Sequence, residues 1–313
     1  MTGLPWLLCG LLTTLLWLVG WVAGTRIAPT AHWSEQALTG GLVTTALQLL
    51  AMRLLSGGAL YARPLTAVAL SLAVGVAVAC VRAPGPELRD LRPWPRSSID
   101  LVPLLAIGAL LVFLAAQIWL FRSWAWDSIW YHVGISALSV QEARADWFNS
   151  PIPYIAGYPN HGELLAAWPG ILTRDNRLDD SGQLAFGVLG ALLVKAWSLR
   201  AGATGSTSTW FACSFPFLTP VLLQLTSNAN DVMCGVLLAS SVFYLTAPGA
   251  RPSDRGMAWV SLALYVGTKY TGLFHAVLLL PIIIIKVVWE VREAVRPTRR
   301  ILAMTVVGGF LLV

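Results

Sequence analysis

The sequence predicts an all-α polytopic membrane protein, and three observations carry that reading. Hydrophobic residues make up 57% of the 313-residue chain and charged residues 12%, where a soluble domain carries about a quarter charged. Apolar runs long enough to cross about 30 Å of hydrocarbon recur along the chain. The basic residues behind the net charge of +6 lie in short clusters between those runs instead of on one face, so they read as topology determinants and not as a nucleic-acid surface. The expected partners are therefore membrane lipids, with no nucleic acid.

The first four runs are residues 4–24, 37–55, 64–81 and 101–121. Nothing basic precedes the first, and Arg26 follows it. That pattern predicts a retained helix with its amino terminus outside, not a signal peptide. Arg82, Arg89, Arg92 and Arg96, among several prolines, mark a cytoplasmic connector between the third and fourth runs, which puts residues 122–182 outside. Residues 1–100 accordingly read as a three-span segment with its connector, and 101–313 as the module that carries function. The external loop 122–182 is acidic and structured. Trp130, Val133, Ala137 and Leu138 recur at helical spacing, predicting a short interfacial helix over 128–143. A second helix is expected over about 161–172, opened by Asn160 and Glu163 in the capping-box relation and interrupted by Pro169.

Further runs follow at 184–199, 209–225 and 232–247. The stretch 257–289 exceeds one span and holds Lys269 in its middle. Two helices meeting externally at 268–270 return Lys286, Arg292, Arg296, Arg299 and Arg300 to the cytoplasm; one long tilted helix with a snorkelling lysine is the alternative. The last run, 301–313, covers about 20 Å of helix, less than a crossing, so the chain reads as cut off in mid-span. Cys9, Cys80, Cys213 and Cys234 lie in or beside apolar runs without metal-ligand spacing, and are expected to be small buried hydrophobes.

Residues Trp126-Asp127-Ser128 and Trp130-Tyr131-His132 are followed by Gln141, by Tyr158-Pro159-Asn160-His161-Gly162-Glu163-Leu164-Leu165 and by Gly267-Thr268-Lys269-Tyr270-Thr271. This series resembles the GT-C membrane glycosyltransferases. The likeness is to the bacterial branch related to dolichyl-phosphate-mannose protein mannosyltransferases and lipid A aminoarabinose transferases, over roughly residues 101–300. It implies a GT-C-like helical bundle with a structured external first loop. It also implies an inverting transfer of a sugar from a polyprenyl-phosphate carrier to a hydroxyl on a lipid, glycan or protein. The expected location is a bacterial plasma membrane with the site outside.

By that resemblance Asp127 is the catalytic acid; as a residue it equally suits a cap for the helix that starts at Ser128. Tyr131 lies one turn on and His132 beside it, where they orient the carboxylate, contact the donor, or simply sit at the interface. His161 and Glu163 match the second loop motif, with helix capping the competing account of Glu163. Asp231 matches a second external acid or serves the amino terminus of the next helix. Lys269, a charge between apolar runs, reads as functional and as a partner for donor phosphate. Asp127, His132, His161 and Glu163 would form a divalent-metal site only if the loop folds back on itself; no other cofactor is expected. A secondary transporter with a broken helix, or a non-catalytic membrane subunit or fragment of a glycosyltransferase, are the rival readings.

Overall fold

The computed structural model describes residues 4–56, 64–79, 98–121, 123–142, 144–145, 148–247 and 251–293, all of them helix, turn or loop. Helices α1 (Leu4–Ile27) and α2 (Trp33–Leu54) form an antiparallel pair joined by a five-residue turn. Their backbones touch, because a Cβ at Gly24 would overlap Gln36 O and one at Gly40 would overlap Gly20 O. Helix α3 (Pro64–Ala79) packs against both, with Gly75 against Val19.

Helix α2 is a core element. It buries Glu35, Gln36, Thr39, Thr44, Thr45 and Gln48 and packs on α7 (His161–Thr173), α8 (Ser181–Arg200) and α12 (Pro252–Thr268). Leu38, Leu42 and Leu49 share one hydrophobic cluster with Leu164, Leu189, Leu237 and Leu262. The first helices are thus built into the same core as the rest of the described chain.

Helix α4 (Ser98–Leu120) is the opposite kind, with Leu105, Val112, Phe113 and Leu120 fully outward. After it come a π-helical turn (Ser128–His132), α5 (Val133–Glu142), the single-turn α6 (Pro153–Gly157), then α7 and α8. The two short helices expected in the 122–182 loop are present, at α5 and α7, and α7 runs through Pro169 without the expected interruption. The run 209–225, expected as one span, is not one helix. It is divided into α9 (Gly205–Ser214), a 3₁₀ turn (Phe215–Phe217) and α10 (Thr219–Leu222). Pro216 and Pro220 each lack a backbone N–H and stand in the first turn of the 3₁₀ turn and of α10, where no helical partner is lost, so the run divides at them. Helix α11 (Asp231–Leu245) follows, then α12, and α13 (Thr271–Glu293) completes the described chain. Between the last two Lys269 is extended, at φ −149° and ψ 136°, so two helices replace the single tilted one.

The contacts sort the helix ends into two faces. One face gathers Trp6 against Trp119 (4.7 Å), Arg53 Nη2 on Asn160 Oδ1 (2.6 Å), Asn228 N on Ser128 Oγ (2.9 Å) and Lys269 on Asp231 (2.6 Å). The other gathers Glu35, Arg200, Arg251 and Asp254 in one ion network, with Ser206 on Asp100. The 123–180 segment and Lys269 therefore lie on the same face. Four helices, Leu4–Ile27, Trp33–Leu54, Asp100–Leu120 and Ser181–Arg200, are long and apolar enough to cross a membrane by length and composition. Cys9, Cys213 and Cys234 are buried free thiols, as expected. Cys80, the connector at 82–97, and the expectations for Arg296, Arg299, Arg300 and the run 301–313 lie outside the described residues.

The glycine contact between α1 and α2 has a measurable consequence. Gly40→Ala should lower the unfolding free energy by about 1–3 kcal/mol, the usual cost of overpacking. Gly108→Ala, which meets no atom within 4 Å, should be neutral or stabilising because a helical glycine is entropically unfavourable. Thermal unfolding of the two purified variants checks the contrast; equal midpoints would refute the backbone contact.

Candidate functional site

The site is built on the π-helical turn. Trp126 stacks on Trp130 at 5.5 Å after the chain has left α4. Asp127 faces outward, while Ser128 and His132 face the core and are buried. Asp127 has helical dihedrals and makes no side-chain cap bond, so capping does not account for it.

Beneath the turn, His132 (3% exposed) pairs with Glu163 (1% exposed) through Nδ1 and Oε1. Asn230 Nδ2 donates to the same Oε1 at 2.8 Å, and the backbone N–H of Asn228 donates to Ser128 Oγ at 2.9 Å. With the carboxylate accepting, the His132 proton sits on Nδ1. The capping box expected of Asn160 and Glu163 is absent. Asn160 makes no side-chain cap bond and instead accepts from Arg53, while Glu163 is drawn to the histidine because a buried carboxylate needs strong donors. Gly162 is the residue that lets Asn230 in, since a Cβ there would overlap its carboxamide. Glu163 and His132 thus lie below the accessible surface.

The accessible rim comes from three elements. Asp231, the first residue of α11, is exposed. It accepts from Lys269 Nζ at 2.6 Å and from Gln224 Nε2 at 3.2 Å. Burial would lower the pKa of Lys269, but the hydrogen bond and charge of Asp231, with a smaller contribution from Asp127, hold it above the ordinary lysine value. Tyr131 packs on His132 at 4.0 Å, Tyr154 at 5.5 Å and Tyr158 at 6.0 Å, and Tyr158 meets Tyr270 at 5.0 Å. Burial pushes the Tyr131 hydroxyl up, helped by the negative charges of Asp127, Glu163 and Asp231. Asp127, Tyr131, Asp231 and Lys269 therefore form one electrostatically connected rim, edged by tyrosines.

His161 belongs elsewhere. Its ring fills the space that a Cβ on Gly267 would occupy, and its Nδ1 lies 3.4 Å from Leu264 O. Burial and the charge of Arg53 lower its pKa to about 4, partly offset by the Leu264 carbonyl. It is a neutral wedge between α7 and α12. The set Asp127, His132, His161 and Glu163 is not assembled as a metal site, and no three His, Cys, Asp or Glu side chains converge in that way among the described residues. Sequence reasoning did not find Ser128, Asn228, Asn230, Arg53 or the tyrosines at 154, 158 and 270. The run Ser227-Asn228-Ala229-Asn230 ahead of an apolar helix was the available signal, because amides at that depth need partners.

No protein family matches the sequence, and neither curated proteins nor solved structures yield a match.

The Asp231 contact sets the charge on Lys269. Asp231→Asn removes the carboxylate that offsets burial, so Lys269 should titrate lower and be acylated at a lower pH than in the parent. Peptide mass spectrometry after pH-stepped acylation reads this directly, and an unshifted profile would show that Asp231 is not the controlling partner.

Proposed function

We propose that the chain is a membrane-embedded glycosyltransferase, moving a sugar from a polyprenyl-phosphate carrier to the hydroxyl of a lipid, glycan or protein with inversion at the anomeric carbon. The observation that carries this reading is the rim itself. Asp127, an exposed carboxylate with no hydrogen bond or ion pair among the described residues, shares a field with Lys269, which is kept protonated. Such a reaction needs one base for the acceptor proton and one cation for the departing phosphate.

In the proposed step the acceptor oxygen attacks the anomeric carbon as the bond from that carbon to the phosphate oxygen breaks. The hydroxyl proton passes to Asp127, and polyprenyl phosphate leaves with its new negative charge facing Lys269. The phosphate competes with Asp231 for the ammonium, which Asp231 meanwhile keeps charged and aimed. The rings of Tyr131, Tyr154 and Tyr270 offer apolar faces to a sugar. His132 and Glu163 act from beneath by fixing the turn that carries Asp127. Embedding is supported by the outward apolar surface of α4 and the tryptophans at 124, 126 and 130, which suit the interfacial level. The arginine distribution favours the outer side of the membrane for the rim, and the resemblance implies that this membrane is a bacterial plasma membrane. No step is assigned to a divalent metal. The break at Lys269 also fits a transporter's discontinuous helix; release of free polyprenyl phosphate from its glycosylated form separates the two readings.

Asp127→Asn should reduce turnover by about 10²–10⁴, the usual contribution of a general base, with donor binding retained. Lys269→Met should weaken donor binding and turnover together, because the phosphate is held in both the ground and the transition state. Turnover of a polyprenyl-phosphate sugar by the full-length chain tests both. A near-parental Asp127→Asn enzyme would overturn the assignment and move it to Asp231.

A further inference from the structure

On a different face of the same π-helical turn, where α4 ends, lies a cavity of about 440 Å³. That size falls in the range of small-molecule sites, roughly 300–1,000 Å³. One wall is apolar, made by Trp119, Phe121, Ile129 and Val133, and the facing side carries Arg177, Asp179 and Asp180. The two sides differ in what they ask of an occupant. Phe121 is 67% exposed and the neighbouring Leu120 71%, and both continue the outward apolar surface of α4.

The two aspartates are 4% and 6% exposed. Asp179 accepts from Ser136 Oγ and Asp180 from Ser123 Oγ, each at 3.1 Å. For Asp180 that hydroxyl supplies a dipole and no counter-charge, and no cation meets this carboxylate among the described residues. A buried carboxylate in that state is costly, and burial pushes Asp180 up to about 6. Arg177 lies with its guanidinium 5.6 Å from the Trp119 ring centroid and its Nε 3.3 Å from Asp175. It is thus a positive group on the cavity wall beside two negative ones.

We infer that this cavity holds the headgroup of a phospholipid bearing a primary ammonium. Asp180, with Asp179 beside it, receives the ammonium, Arg177 faces the phosphate, and the apolar wall leads the acyl chains out along α4. A cationic detergent-like amine would leave Arg177 unused, and an anionic phospholipid would meet the two carboxylates. The zwitterion matches both signs. The inference rests on the membrane placement proposed above and not on the transfer chemistry.

The test is native mass spectrometry of the full-length chain released from nanodiscs containing equal phosphatidylethanolamine, phosphatidylcholine and phosphatidylglycerol. The parent should retain phosphatidylethanolamine about tenfold over phosphatidylcholine, a difference of about 1.4 kcal/mol, because a quaternary ammonium cannot donate to the aspartates. The doubly substituted Asp179→Asn, Asp180→Asn chain should lose the preference. Val133→Trp, which fills the wall without changing charge, should lower retention of all bound lipid and covers the case in which the double variant does not fold. Asp127→Asn should keep the preference even with transfer abolished, so the two proposals fail separately. Equal retention of the two zwitterionic lipids, a preference for phosphatidylglycerol, or lipid retention undiminished by Val133→Trp would overturn the inference.

Discussion

The arrangement of the whole upper face depends on one buried carboxylate. Glu163 lies in the core of a chain that is mostly apolar, where His132 and Asn230 both meet its Oε1 while Oε2 has no partner among the described residues. Each donor comes from a different element, the histidine from the turn after α4 and the amide from the loop before α11. Removing one partner of such a buried pair typically costs about 3–5 kcal/mol, so the three elements are held in register by the need to satisfy a single oxygen. Asp127 is one turn from His132, and Asp231 follows Asn230 directly. Both rim carboxylates are therefore positioned by the layer beneath them, and the rim is as fixed as that layer.

The opposite face has a comparable constraint. Glu35 pairs with Arg200 at 2.8 Å and with Arg251, which also binds Asp254 at 2.7 Å. Arg200 lies 3.6 Å from the Phe243 ring centroid, and Tyr244 shares a 2.8 Å hydrogen bond with Thr39. Helix α2 contributes Glu35 to this network and Arg53 to the other face, so it runs between the two polar anchor points. That is the physical reason it lies inside the bundle. A helix whose polar groups must all find partners cannot face hydrocarbon, whereas α4, with few polar groups to satisfy, can.

Much of this was legible in the sequence. The helices, the break at residues 268–270, the position of Asp127 after an apolar run and the polar opening of α11 all follow from hydropathy and charge distribution. The break in 209–225 was present as Pro216 and Pro220, but its apolar composition outweighed them. Glu163 shows why local patterns fail. Its spacing from Asn160 is that of a capping box, yet its partners are 31 and 67 residues away, and no local pattern contains them. The difference between α2 and α4 was visible only as mean hydropathies of 1.3 and 2.5 in their windows. Composition ranks two helices by polarity, but which partners answer the polar groups is decided by tertiary contacts.

The glycine seam between α1 and α2 bears on how the chain is made. Tyr244 follows its partner Thr39 by 205 residues and Arg251 follows Glu35 by 216, so during synthesis α2 exists for a long interval without the helices that answer its polar side. Helix α1, already complete, is at hand. Backbone contact through Gly20, Gly24 and Gly40 allows the two helices to associate closely before anything else arrives. The hairpin can then persist as one unit, with the uncompensated stripe of α2 waiting for its later partners.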